Sequence, residues 1–160
     1  MKPPLLFLGW GNPSRGDDAI GPLLCDRLAE ALGDVSHCEV QQDFQLQIED
    51  AMDIEGRALV IFIDASVSAP APFDFRAAVP RADGSVTTHA MSPEAVLATT
   101  REILGDAPPA FVMAVRGEAF GLGEPMSSAA RGNLEAAWQA LVRIASADDA
   151  MATCQALAQR

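Results

Sequence analysis

The chain reads as an α/β protein, a three-layer α/β/α sandwich around a mostly parallel sheet. Three observations predict this. Short apolar runs alternate with stretches of helical periodicity along the chain. The strongest of those runs are continuous, as expected of strands covered on both faces. At 160 residues the chain is long enough for one domain with its own core, so residues 1–160 read as a single domain.

The elements follow in order. Residues 5–8 are apolar, end at Gly9, and suit a central buried strand. A loop rich in Gly, Asn, Pro and Ser comes next. Ile20, Leu23, Leu24, Leu28 and Leu32 then recur at helical spacing, and Gly33 stops the helix. Asp17 and Asp18 stand before it as cap and first-turn acids. Pro22 is tolerated there because first-turn N–H groups lack intrahelical partners. Residues 35–40 read as a second strand. Residues 45–54 read as a short helix with Ile48, Ala51 and Met52 on one face. Residues 59–63, Leu-Val-Ile-Phe-Ile, form the strongest strand and run into Asp64. A Pro-rich stretch leads to residues 73–79, whose weaker alternation suits an edge strand. Ser92 followed by Pro93 is a cap-and-proline helix start, and that helix runs to Leu104. Residues 110–115 are a last buried strand. Ser127 or Ser128 caps a long helix with Leu134, Ala137, Trp138, Leu141 and Val142 on its apolar face. The Ala-rich tail after Ser146 is either helical or frayed.

Composition narrows the class of function. Acidic residues outnumber basic ones 22 to 11, for a net charge of −11. Such a surface repels nucleic acid and anionic membranes, and tolerates a basic peptide or a metal cation. No run approaches the roughly 18 apolar residues of a membrane span. The N-terminal apolar run is too short for a signal peptide. Cys25, Cys38 and Cys154 lack Cys-x-x-Cys spacing and read as reduced thiols of a cytoplasmic protein, with Cys25 in the core.

In open α/β sheets, ligands gather outside the carboxyl ends of the parallel strands. Asp17 and Asp18 follow the first strand, and Asp64 ends the third. His89 lies just before the Ser92 helix, and residues 81–89 reach roughly 30 Å at about 3.3 Å per residue. Two carboxylates and an imidazole suit a borderline divalent cation such as zinc, nickel or manganese. Three protein ligands also leave positions open for water or substrate. Each residue has a plainer role open to it. Asp17 or Asp18 caps the helix, Asp64 bonds loop amides, and a lone His89 is a polar loop residue. The case for a site rests on the three converging. His37, which opens a strand, reads as a surface residue.

Other chemistries fit less well. Gly9-x-Gly11 starts like a dinucleotide fingerprint, but its third position is Ser14, and no Gly-Lys-Ser/Thr follows. Asp17 and Asp18 also stand where a phosphate would sit at a helix start, and their charge repels one. There is no Gly-x-Ser-x-Gly elbow, and no Cys near a His with an orienting acid.

At these residues the sequence resembles the maturation endopeptidases of nickel-iron hydrogenases. The first motif reads Leu6-Phe-Leu-Gly-Trp-Gly-Asn-Pro-Ser-Arg-Gly-Asp-Asp-Ala-Ile-Gly21. The second is the apolar strand ending in Asp64-Ala65. The third is His89 ahead of a Leu- and Ala-rich helix. The resemblance spans residues 5–144. It implies a five-stranded mixed sheet between helices with one antiparallel strand, which suits residues 73–79. It implies an enzyme that removes a C-terminal extension from the hydrogenase large-subunit precursor once nickel is inserted. It also implies metal recognition and catalysis by Asp18, Asp64 and His89, with the nickel belonging to the substrate and no intrinsic cofactor. Known relatives lead to the expectation of a monomer.

The chain departs from the family pattern in three places. Asp18 stands where many members carry Glu. Residues 42–50 replace a Gly-rich segment, and are similar to the branch serving cytosolic, cofactor-linked hydrogenases. The usual pattern is blurred over residues 116–125. A non-catalytic maturation chaperone and a small-molecule hydrolase or phosphorylase-like enzyme are the alternative readings.

Overall fold

A computed structural model describes residues 1–82 and 91–160. Five strands form its sheet: β1 (Leu5–Trp10), β2 (Cys38–Asp43), β3 (Leu59–Ser66), β4 (Phe73–Ala78) and β5 (Ala110–Arg116). Around them lie α1 (Ile20–Leu32), α2 (Asp50–Ile54), α3 (Pro93–Leu104), α4 (Ser128–Ser146) and α5 (Ala150–Ala158). A single 3-10 turn, Gly16–Ala19, feeds α1. The strand order is β2-β1-β3-β5-β4, with β4 antiparallel at one edge and the other neighbours parallel. The sheet is therefore the mostly parallel, mixed one expected, with residues 73–78 as its antiparallel edge.

Strand alternation sorts the core into two layers. Leu5, Phe7, Ile61, Ile63, Met113 and Val115 pack against α1, α4 and α5. Leu6, Leu8, Val60, Phe62 and Val112 face the other way, onto Leu46, Ile54 of α2, and Val96 and Leu97 of α3. The central strands are buried on both faces, and their continuous apolar runs are the mark of that position.

The connections create a crevice. From β1 the chain crosses to β2 by way of α1 on one face. It returns from β2 to β3 by way of α2 on the other. Right-handed crossovers force this change of face whenever the direction of travel reverses. The reversal leaves a gap at the carboxyl ends of β1 and β3, where ligands bind in doubly wound sheets.

Several local expectations shift. The second strand starts at Cys38 rather than residue 35, because pairing of Leu5 with Cys38 and Phe7 with Val40 sets its register. Val35 is exposed instead. The α2 helix covers only Asp50–Ile54. Ala51 and Ile54 of α2 are buried, as is Leu46 in the segment before it, while Ile48 and Met52 face solvent. Leu23 is exposed on α1, as is Val142 on α4. The tail is helical: α5 is capped by Asp149 and buries Cys154 and Leu157. Ser92 and Ser127 cap α3 and α4, accepting from the N–H groups of Ala95 and Ala130. His37 is exposed, as read.

Candidate functional site

The first loop folds inward on the protein. A Cβ on Gly21 would fall 2.2 Å from the Trp10 carbonyl oxygen, so α1 packs directly on the end of β1. Gly11 has φ +151°, and a Cβ there would fall 2.0 Å from the Asp18 carbonyl oxygen. These glycines serve close backbone packing. The loop amides are spent internally too. Gly11 N–H donates to the Asp43 carbonyl, Arg15 to Asn12, Asp17 to Ala119, and Asp18 to Arg15. Asn12 N–H donates to the Asp18 carboxylate at 2.7 Å, and Ser14 N–H to the Asn12 side chain at 2.9 Å. A phosphate cradle needs free N–H groups pointing at the ligand, and these six are taken. The nucleotide reading fails on geometry as well as on charge.

The two adjacent acids part company. Asp17 is fully buried. Its carboxylate accepts from the N–H groups of Glu118 at 2.7 Å, Ala119 at 2.9 Å and Ser127 at 2.7 Å. The Ser127 hydroxyl donates a fourth bond at 2.7 Å. Burial pushes its pKa up, but the bonds from Ala119, Glu118 and Ser127 outweigh burial and hold it below the usual carboxylate value. Asp17 is neither a cap nor an open ligand. It ties the first loop to the segment between β5 and α4, and the expectation that it caps the helix is corrected. Neither the 3-10 turn nor α1 carries a side-chain cap.

Asp18 turns the other way and is partly exposed, held by the Asn12 N–H. Asp64 projects from β3 onto the same sheet face as Phe62 and is also partly exposed. Loss of solvation raises its carboxyl to about 7. The Ala65 N–H opposes this, the charge of Asp18 adds to it, and a hydrogen bond with the Trp10 side chain opposes it again. The charge of Asp18 is thus felt at Asp64 across the β1–β3 crevice. Trp10 is the partner that sequence reasoning missed. Its indole N–H needs an acceptor where the ring is partly buried, and the ring packs edge-on against Phe62 with centroids 6.0 Å apart.

His89 lies outside the described residues. The described chain resumes at Met91, whose N–H donates to the Leu46 carbonyl and whose side chain packs on the same layer as Trp10. Asp18 and Asp64 are oxygen donors suited to a divalent cation. Among the described residues, no three His, Cys, Asp or Glu side chains group closely enough to hold a metal ion.

The cysteines take no part. All three are buried and unbridged. Burial raises Cys25 and Cys154 to about 12, so they are thiols at neutral pH. Asp64 is different. A carboxyl titrating near 7 exchanges a proton in the range where a general acid or base works best. No helix among the described residues is long and apolar enough to cross a membrane.

No protein-family model matches the chain, and no curated protein does. Solved structures do. The [NiFe] hydrogenase maturation protease HycI from Thermococcus kodakarensis KOD1 superposes with a TM-score of 0.68 at 24% identity, covering 89% of this chain and 92% of its own. The hydrogenase maturating endopeptidase HybD from E. coli gives 0.66 at 24% identity, covering 91% and 94%. A hydrogenase 2 maturation peptidase from a Thaumarchaeota archaeon gives 0.60 at 20% identity, covering 88% and 96%. The fold of this chain, a five-stranded mixed sheet between helices, is the fold of the hydrogenase maturation endopeptidases.

Proposed function

We propose that the protein is an endopeptidase that removes the C-terminal extension of a nickel-iron hydrogenase large-subunit precursor after nickel insertion. One observation carries the reading. Asp18 and Asp64 interact across the switch-point crevice of a sheet that shares its fold with maturation proteases. The motif resemblance at residues 6–21 supports it. In this reading Asp18, Asp64 and His89 recognise nickel that arrives in the substrate, and the protein carries no cofactor of its own. It works as a cytoplasmic monomer.

The chemistry asked of the chain is modest. Gripping the substrate's metal fixes the scissile peptide against Asp64, and positioning alone lowers a barrier by several kcal/mol. Water adds to the carbonyl carbon as the C–N bond breaks, and its proton passes to the departing amine. Asp64, near half-ionised at neutral pH, is suited to carry that proton. Trp10 and the Ala65 N–H steady the carboxylate while it does so.

The test is to mix the protein with nickel-loaded and nickel-free precursor and follow shortening of the large subunit by mass. Nickel-loaded precursor is cut and nickel-free precursor is not. Replacing Asp18, Asp64 or His89 by Ala lowers the rate by at least about 100-fold, in the range of losing an acid–base or positioning group. Equal cutting of both precursors would overturn recognition of the metal, and full activity in all three variants would overturn the site. Binding without any shortening would instead indicate a chaperone.

A further inference from the structure

Side chains alternate between the two faces of a strand. Leu6, Leu8, Phe62 and Val112 mark the face that packs on α2 and α3. Counting on in twos, Trp10, Asp64 and Arg116 project from the same face, toward the carboxyl ends of β1, β3 and β5. The register sets Asp64 beside Ala114 and Ser66 beside Arg116. Arg116 therefore stands one strand over from Asp64 and two residues further out. With strands about 4.8 Å apart and about 3.3 Å of rise per residue, the two Cα atoms are roughly 8 Å apart. Asp18, in the loop after β1, flanks Asp64 on the other side.

Arg116 is fixed in place but left without an acid. Its backbone N–H donates to the Pro72 carbonyl at 3.1 Å, and its carbonyl accepts from the Asn133 side chain at 3.0 Å. Its Nη1 donates to the Ala69 carbonyl at 3.0 Å. Its Nε is buried and meets no acceptor among the described residues. Three arginines are buried or partly buried: Arg27, Arg57 and Arg116. Arg27 pairs with Glu135 and Arg57 with Glu39. Among the described residues Arg116 forms no ion pair, in a chain with 22 acids. A guanidinium offers five N–H donors in a planar fork that matches a carboxylate. Partly withdrawn from water and unpaired, it carries a cost that a bound anion relieves.

We propose that Arg116 is a specificity-determining residue whose guanidinium takes a carboxylate of the precursor's departing extension, from an acidic side chain or from the chain terminus. This rests on the endopeptidase reading. The metal is gripped on the β1 side of Asp64, so the β5 side is left for the part of the chain that is cut away. Arg116 also opens residues 116–125, where the chain departs from the family pattern. A surface of net charge −11 repels acidic segments elsewhere, so one unpaired guanidinium selects a single register for the extension.

The experiment is a cycle between enzyme and substrate. Wild type, R116Q and R116K are compared in steady-state cleavage of nickel-loaded precursor. The precursor is used unchanged, with the acids of its extension replaced by amides, and with its terminal carboxylate amidated. On the unchanged precursor R116Q raises KM about 10–100-fold, as loss of a charge-assisted hydrogen bond does. The kcat stays within about 2-fold, because the bond is made equally before and during reaction. R116K keeps the charge without the fork and recovers part of the loss. Removing the recognised carboxylate raises the wild-type KM by the same factor, and on that precursor wild type and R116Q are equal. The substitution that does so identifies the source of the carboxylate. A wild-type KM unmoved by both modified precursors overturns the proposal, whether or not R116Q folds. A loss in R116Q that persists on both modified precursors also overturns it, and leaves Arg116 as a tie to Ala69. If the wild type binds the precursor without shortening it, the endopeptidase reading falls alone. The dissociation constant then replaces KM in the same cycle, and equal affinity of wild type and R116Q overturns the role of Arg116 by itself.

Discussion

Asp17 and Asp18 are adjacent in sequence, yet they belong to two regions governed by opposite rules. On the Asp17 side, a fully buried carboxylate meets four donors from one distant segment. On the Asp18 side, the crevice holds two partly exposed carboxylates, and the charge of Asp18 adds to the loss of solvation that disfavours the ionised form of Asp64. The first region is satisfied and therefore structural. The second is under-satisfied, and its cost is the kind that functional sites carry. Opposite pKa shifts in neighbouring places are the physical signature of that division. Asp17 is held below the ordinary value and Asp64 raised above it.

The largest way to break the comparison is at Asp17. Replacing it by Ala strands three buried N–H groups and the Ser127 hydroxyl, and each orphaned donor costs about 1–3 kcal/mol. Allowing for water entering the space, D17A loses about 3–5 kcal/mol of stability in urea unfolding. The pH dependence has a definite sign. A folded pKa below the unfolded one supplies stability that is present above about pH 4 and is lost as the pH falls through the folded value. D17A therefore shows weaker acid destabilisation than the wild type. A loss under about 1 kcal/mol would show that Asp17 is not a structural tie.

What could be read in advance follows the same division. The strands β1, β3 and β5 were legible because each is an unbroken apolar run buried on both faces. The edge strand β2 was placed three residues early, because only Cys38 of Cys38–Asp43 is fully buried and the rest is largely polar. Its position depends on pairing with β1, which local pattern does not contain. The short helix expected over 45–54 is shorter still because Gln47 N–H bonds the Asp50 side chain in a turn and Leu46, not Ile48, reaches the core. Asp18 and Asp64 were legible from the rule that loops after parallel strands carry ligands. The role of Asp17 was not, since its partners lie 101 to 110 residues away. Nor was Trp10, whose hydrogen bond to Asp64 depends on strand registration.

A smaller effect sharpens the crevice side. With the folded pKa of Asp64 at about 7, the native state binds its proton more tightly than the unfolded chain between about pH 4 and 7. Stability must therefore fall as the pH rises through that window, the reverse of Asp17. The shift corresponds to no more than about 4 kcal/mol, and relaxation and water bring the expected effect to about 1–3 kcal/mol. D64N removes it. At pH 8 the variant is more stable than the wild type by that amount, at pH 4 the two are alike, and D64N is inactive. Equal stability of the two proteins at both pH values would mean that Asp64 is not strained in the native state.

The smallest effect isolates the contact that joins the site to the sheet. Trp10 stabilises the ionised form of Asp64 through its indole N–H, and also packs on Phe62. W10F keeps most of the ring packing and removes the donor. Without that bond the ionised form is disfavoured further, so the Asp64 pKa rises, and the loss of stability at pH 8 is about 0.5–1.5 kcal/mol. At pH 4, where the carboxyl is already protonated, the loss is smaller. The readout is the carboxyl carbon chemical shift of Asp64 across a pH titration, which reports the charge itself and not the packing. An unchanged titration with a pH-independent loss would assign Trp10 to packing alone. A shifted titration with activity moved to higher pH would place Trp10 among the groups that set when Asp64 can take a proton.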